Sequence, residues 1–235
     1  MIRALIVAHG QPSDPGPAAA ELDRLAERVA AHLPGWRVGA ATLAEAGRLA
    51  AEAAGVPGVI LPLFMAGGWF TRVSIPDRLR VAGATGWQLL EPFGCLPALH
   101  DLTLRIARES GAGRVLLAAH GSFKSKVPSA IANHVAARIT AETGLPAAAA
   151  FIDQAPQLET ATGYTEDTVC LPFFAMAGGH VTEDIPAALA RAGFRGRILP
   201  PVGQDARVPK LIADAITAGV AICAQGCHWG EGQSP

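Results

Sequence analysis

The chain is predicted to be α/β, with two tandem domains that are each a mainly parallel four-stranded sheet flanked by helices. Two observations predict this. Short apolar runs alternate with stretches of helical periodicity from end to end. The sequence also repeats: a strand ending Ala8-His9-Gly10 returns as one ending Ala119-His120-Gly121, and LPLFMAGGWFTRVSIP at 61–76 returns as LPFFAMAGGHVTEDIP at 171–186. A repeat of that length within 235 residues gives halves large enough to bury separate cores. The halves are set at 1–111 and 112–224, with 225–235 as a loose tail.

In the first half, Ile2–Ala8 is a fully buried strand, a short apolar run with β-branched residues. Helix follows over Pro17–Leu33, with Leu22, Leu25, Val29 and Leu33 on one face. Trp36–Leu43 is a weaker strand, Glu45–Ala54 a helix and Gly58–Phe64 another buried strand. A helix starts near Ser74, an N-cap type, with Pro76 in its first turn. Strand Trp87–Leu90 and helix Pro97–Ser110 close the half. The second half repeats the order with strand Arg114–Ala119, helix Pro128–Thr143, strand Ala147–Ile152 and a short helix near Leu158. Strand Thr168–Phe174, helix Asp184–Ala192, strand Arg195–Leu199 and helix Val208–Ala224 complete it.

Composition excludes several classes of function. Nineteen basic against twenty acidic residues leave a formal charge of −1, without the positive surplus that nucleic-acid binding draws on. No run approaches the roughly 20 apolar residues of a membrane span, and MIRALIVAHG is too short for a signal peptide. The cytosol is the expected location, and a monomer the expected state, since a duplication can internalise a dimer contact. Cysteines 95, 170, 223 and 227 form no repeated framework, and Cys170 reads as a small buried hydrophobe. Cys223, Cys227 and His228 make a C-x-x-x-C-H cluster whose spacing is not that of a zinc knuckle. His32, His100 and His134 are placed on helical surfaces.

Parallel sheets gather ligands at strand carboxyl ends, outside a topological switch point. His9, His120 and both Gly-Gly turns lie there. In the second half His120 ends the first strand, Asp153 the second, and His180 follows the turn after the third. Two imidazoles and an acid suit a divalent first-row metal. Either histidine alone reads as a hydrogen-bonded turn residue; both at equivalent places in a repeated scaffold point to function. Asp153 has a second reading as a turn residue before Pro156. Asp184 matches Ser74 and reads as a helix cap, and Glu183 as a dipole partner or a group holding His180. Counting from the strand-end histidines, Trp69 takes the place of His180, so the first half keeps His9 without its mate. Trp69 and Phe70 offer flat area for a conjugated ring, or for a domain interface. Ser122, Lys124 and Lys126 can grip carboxylates on a ligand, and Arg72, Arg78 and Arg80 are further candidates.

The motifs AHGQ and AHGS, with the pattern H-V-x-x-D-I-P inside LPFFAMAGGHVTEDIP, resemble the class II tetrapyrrole chelatases of the cobaltochelatase and sirohydrochlorin chelatase type. The resemblance runs to about residue 220, in the two-domain, CbiX-like form with halves fused in tandem. It implies two flavodoxin-like (chelatase-like) domains and a lyase that inserts Co²⁺ or Fe²⁺ into sirohydrochlorin, in cobalamin or sirohaem synthesis. The divalent metal is then a substrate, and no organic cofactor is needed. The family's histidines match His120 and His180, and its acidic position matches Asp153, with Asp where Glu is more usual. Both imidazoles would hold the ion and one would accept a pyrrole proton, while Asp153 orients a ring or relays protons outward. Ser122, Lys124, Lys126, His9, Trp69 and Glu183 would bind the macrocycle. The alternative is a non-catalytic tetrapyrrole or metal carrier on the same fold.

Overall fold

The computed structural model describes residues 2–223 and Trp229. Strands β1 (Ile2–Ala8), β2 (Trp36–Thr42), β3 (Val59–Pro62) and β4 (Gln88–Leu89) form one sheet in the order β2-β1-β3-β4. Strands β5 (Arg114–Ala119), β6 (Ala147–Phe151), β7 (Thr168–Pro172) and β8 (Arg197–Ile198) form another, ordered β6-β5-β7-β8. Every pairing within the two sheets is parallel. The first strand of each sheet lies between the second and the third, so the direction of winding reverses at its carboxyl end.

Helices α1 (Pro15–Ala30), α2 (Arg48–Ala53), α3 (Ile75–Val81), α4 (Pro97–Glu109), α5 (Val127–Thr143), α6 (Ile185–Arg191) and α7 (Val208–Ala218) connect and flank the strands. The strands that read as continuous apolar runs are the buried ones: Ile6, Val7, Ile60 and Leu61 in one sheet, and Leu116, Leu117, Cys170 and Leu171 in the other, have no exposed surface. Each such Leu or Ile contributes about 1.5–3 kcal/mol through burial. Burial pushes the Cys170 thiol up to about 12, so it packs as a neutral hydrophobe.

The compact units do not divide at 111/112. One comprises the described residues of Met1–Leu96 and Ala206–Cys227, the other those of Pro97–Asp205 and His228–Pro235. Helix α4, expected to close the first half, packs on α5, whereas α7, expected to close the second, packs on α1 and β3. The repeat is thus a repeat of sequence, while each core is completed by the helix that follows the other sheet.

Three local expectations change. The last helix stops at Ala218 rather than Ala224, because Gly219 adopts a left-handed φ of 62° and donates its N–H to the Ala215 carbonyl. Ala221 then forms an antiparallel bridge with Leu90. His100 is not on a surface: it is buried, with its ring against those of His134, Phe173 and Trp229. Trp229, assigned to a loose tail, also meets His134 edge-on at 5.0 Å. Burial, then Arg138, holds the His134 imidazole below its ordinary value. Cys227 and His228 of the expected tail cluster lie outside the described residues.

Candidate metal centre

Three strand ends build the site in the second unit. His120 follows β5, and its carbonyl accepts the Asp153 N–H (2.9 Å), which locks the end of β6 beside it. Between β5 and the loop, Gly121 takes a φ of +73°. A Cβ there would meet Gln154 Cγ at 2.7 Å and Phe151 Cβ at 3.0 Å, so the turn that aims His120 requires glycine. Beyond β7 the chain does not enter an α-helix at once. Residues His180–Asp184 make a π turn, closed by the Ile185 N–H bonding the His180 carbonyl, and α6 continues from it. That wider turn carries His180 and Asp184 four residues apart on one edge.

The result is a facing pair of imidazoles. Nε2 of His120 is 3.1 Å from Nε2 of His180, with ring centroids 4.6 Å apart and planes nearly perpendicular at 87°. Nδ1 of His120 lies 3.1 Å from the Gly121 carbonyl oxygen and 3.3 Å from Asp153 Oδ2. Nδ1 of His180 lies 2.6 Å from Asp184 Oδ2. Carbonyl and carboxylate oxygens only accept, so each Nδ1 carries a hydrogen and donates it. With both rings neutral the two Nε2 atoms turn lone pairs toward the same point, and the 3.1 Å between them is bridged by a shared proton or by a metal cation. With metal–nitrogen bonds of about 2.0–2.1 Å, a 3.1 Å separation subtends about 100° at an ion, between an octahedral and a tetrahedral edge. Both side chains are close to half exposed, at 44% and 45%, so the point is open to a ligand.

Asp153 stands behind the His120 ring rather than beside the ion's position. Among the described residues no group of three or more His, Cys, Asp or Glu side chains is placed to hold a metal. The expected set of two imidazoles and an acid thus becomes two facing imidazoles with a carboxylate behind each. Asp184, expected to cap the helix, makes no capping hydrogen bond and instead holds His180, the part considered for Glu183, which is exposed. Its signal was the i, i+4 spacing of His180 and Asp184 on one helical edge.

The loop after His120 is tied down by its own Ser122 and Ser125 and by Gln154, which carries no sequence motif. Gln154 Oε1 accepts the Ser122 N–H at 2.8 Å. Ser122 Oγ accepts the N–H groups of Lys124 and Ser125, and Ser125 Oγ accepts that of Val127. Ser122 therefore shapes the loop, and Lys124 and Lys126 stand exposed on it.

The first unit corrects the pairing of the repeats. Phe70–Ser74 forms the same π turn, with the Ile75 N–H on the Phe70 carbonyl, so the counterpart of His180 is Phe70 and not Trp69. The Gly-Gly pair had misled the count, because it sits one residue further from the strand in the second repeat. His9 keeps its Nδ1 contact to the Gly10 carbonyl at 2.7 Å, and Phe70 meets it edge-on at 4.6 Å and 82°. Ala44, whose N–H bonds the His9 carbonyl, stands where Asp153 does, and Ser74 where Asp184 does. Trp69 is 63% exposed with its ring edge-on to Phe70. Of the arginine candidates, Arg78 donates to the Leu43 carbonyl, Arg72 reaches Cys223 Sγ, and Arg80 pairs with Asp77.

Comparison with known proteins agrees with this architecture. The CbiX family model matches residues 114–218, the stretch that carries the paired histidines. A solved CbiX, described as the terminal enzyme for biosynthesis of siroheme in denitrifying bacteria, is 44% identical with a TM-score of 0.85. That match covers 93% of this chain and 100% of the other. SirB from Bacillus subtilis, solved with Fe³⁺, shares the fold at 17% identity and a TM-score of 0.69, covering 96% of this chain and 98% of its own. The cobalt complex of the sirohydrochlorin chelatase SirB from Bacillus subtilis subspecies spizizenii does so at 15% and 0.68, covering 94% and 96%. No curated protein sequence matches. With the 44% identity extending over the whole of the solved relative, the chain belongs to the CbiX family.

Proposed function

We propose that the chain is a sirohydrochlorin chelatase that inserts a divalent first-row metal, Fe²⁺ or Co²⁺, into the macrocycle. The observation that carries this is the pair of Nε2 atoms 3.1 Å apart, each ring held through its Nδ1. The CbiX relative, described as a terminal enzyme of siroheme biosynthesis, favours iron, since siroheme is the iron complex of sirohydrochlorin. The SirB complexes with Fe³⁺ and cobalt keep both ions in view.

Two protein nitrogens hold an ion while leaving most of its coordination positions to water. Those positions are where macrocycle nitrogens replace the water. Insertion releases two pyrrole protons as the dication enters. As the ion leaves the protein, two Nε2 lone pairs become free, one for each proton. Asp153 and Asp184, behind the rings, offset the positive charge that results. Lys124 and Lys126 attract the carboxylates around the ring, and Ser122 shapes their loop. Trp69, His9 and Glu183 are further candidate contacts for the macrocycle.

The test is to mix protein, metal and sirohydrochlorin and follow the visible spectrum, with Fe²⁺ and Co²⁺ in parallel. Wild type accelerates insertion of at least one ion, and His120→Ala and His180→Ala both abolish the acceleration. Binding of macrocycle and metal without acceleration overturns the proposal in favour of a carrier.

A further inference from the structure

The first repeat is an internal control for the second, because it presents the same scaffold without the same chemistry. Phe70 occupies the ring position of His180 at the same 4.6 Å from its partner imidazole. Each of these rings lies near an equivalent phenylalanine: Phe64 is 5.8 Å from Phe70, and Phe174 is 6.4 Å from His180. What changes with the second imidazole is the group behind it. Asp184 Oδ2 is 2.6 Å from His180 Nδ1, whereas Ser74 stands at that place behind Phe70.

We propose that Asp184 is a positioning residue that makes His180 a metal ligand, and that the first repeat is a latent second metal site lacking this imidazole–carboxylate pair. The inference rests on the function proposed above only in taking the His120–His180 pair as the ion's site. A free imidazole rotates about its χ torsions and exchanges its ring hydrogen between Nδ1 and Nε2. A carboxylate at Nδ1 removes both freedoms, since it fixes the hydrogen at Nδ1 and leaves the Nε2 lone pair aimed at the ion. Asp184 also raises the electron density the ring can donate. It does this from the far side of the ring, so it shapes affinity without occupying a coordination position. In the first repeat His9 retains its anchor on the Gly10 carbonyl but has Ala44 where Asp153 stands, so the missing elements are the second ring, its carboxylate and the weaker carboxylate behind the first ring. Ser74 is buried where Asp184 is half exposed, so an aspartate there needs the imidazole as its partner.

The test is Co²⁺ binding to the full chain, read by equilibrium dialysis and by the visible absorption of protein-bound Co²⁺, with circular dichroism to verify folding. Asp184→Ala is expected to weaken binding about 10- to 100-fold, and Asp184→Asn to recover much of that loss because its amide oxygen still accepts from Nδ1. A role in folding alone would leave the affinity of the folded variant unchanged and would not distinguish Asn from Ala. Phe70→His adds at most a weak second equivalent of Co²⁺, and Phe70→His with Ser74→Asp tightens that equivalent about 10- to 100-fold. Should the double variant fail to fold, the Asp184→Ala and Asp184→Asn pair decides. Folded Asp184→Ala that binds Co²⁺ like wild type overturns the inference, as does a folded double variant whose second site is no tighter than that of Phe70→His. Wild type that binds Co²⁺ at the pair but inserts nothing removes the chelatase reading and leaves this inference standing.

Discussion

His120 with His180 and His9 with Phe70 are the same pair of rings in two chemical states. Centroid separations agree at 4.6 Å, and the interplanar angles are 87° and 82°. Both pairs join the end of the first strand of a sheet to a π turn after the third. The lesson is that ring placement belongs to the fold, and metal affinity to a few atoms mounted on it. Replacing a phenyl ring by an imidazole, and setting carboxylates behind, separates an aromatic contact from a candidate metal centre.

The largest expected effect comes from writing the first repeat into the second. His180→Phe removes one of the two ligands, so Co²⁺ binding falls by more than about 100-fold, beyond what losing an outer partner costs. The protein stays folded, because Phe70 shows that the scaffold accommodates this ring. Dialysis together with a thermal melt checks both parts, and unimpaired metal binding would break the comparison. Next come the glycines. Gly121→Ala and Gly10→Ala each force a side chain into a left-handed φ of +73° and a contact of 2.7 Å, costing about 1–3 kcal/mol. Both melts shift down, but only Gly121→Ala weakens Co²⁺ binding.

Asp153→Ala sharpens the comparison further. At 3.3 Å, and with the Gly121 carbonyl as a second acceptor, Asp153 holds His120 less exclusively than Asp184 holds His180. Its loss therefore weakens Co²⁺ binding by about 10-fold, the low end of the range for outer partners. The smallest effect on the site comes from the core. Cys170→Ile writes in the first repeat's Ile60, overpacking β7 at a cost of about 1–3 kcal/mol in stability while insertion kinetics stay unchanged. A kinetic change would show that the strand core and its rim are coupled.

The strands and the His120–His180 pair were legible because buried parallel strands leave continuous apolar runs and the repeat set their register. Helix ends were less legible: nothing in the periodicity marks Gly219 as the stop of α7. The exchange of α4 and α7 between the compact units is hidden, since an apolar helix face in a sequence does not say which sheet it covers. The register of the Gly-Gly turn misleads: the segments from Pro62 to Ile75 and from Pro172 to Ile185 are equally long, but the glycine pair sits one place later within the second. That one-place shift makes Trp69, rather than Phe70, look like the counterpart of His180. Asp184 was read as a cap because Asp before Ile-Pro is a common helix start, and a π turn that brings it under a histidine leaves no composition signal.

On the proposed function, one ion sits between the two imidazoles of the second repeat. Anomalous diffraction at the cobalt edge, from crystals of the protein loaded with Co²⁺, tests it most directly. A single strong peak is expected about 2.0–2.2 Å from Nε2 of both His120 and His180. A peak on His9, or one coordinated by neither of those nitrogens, would contradict it.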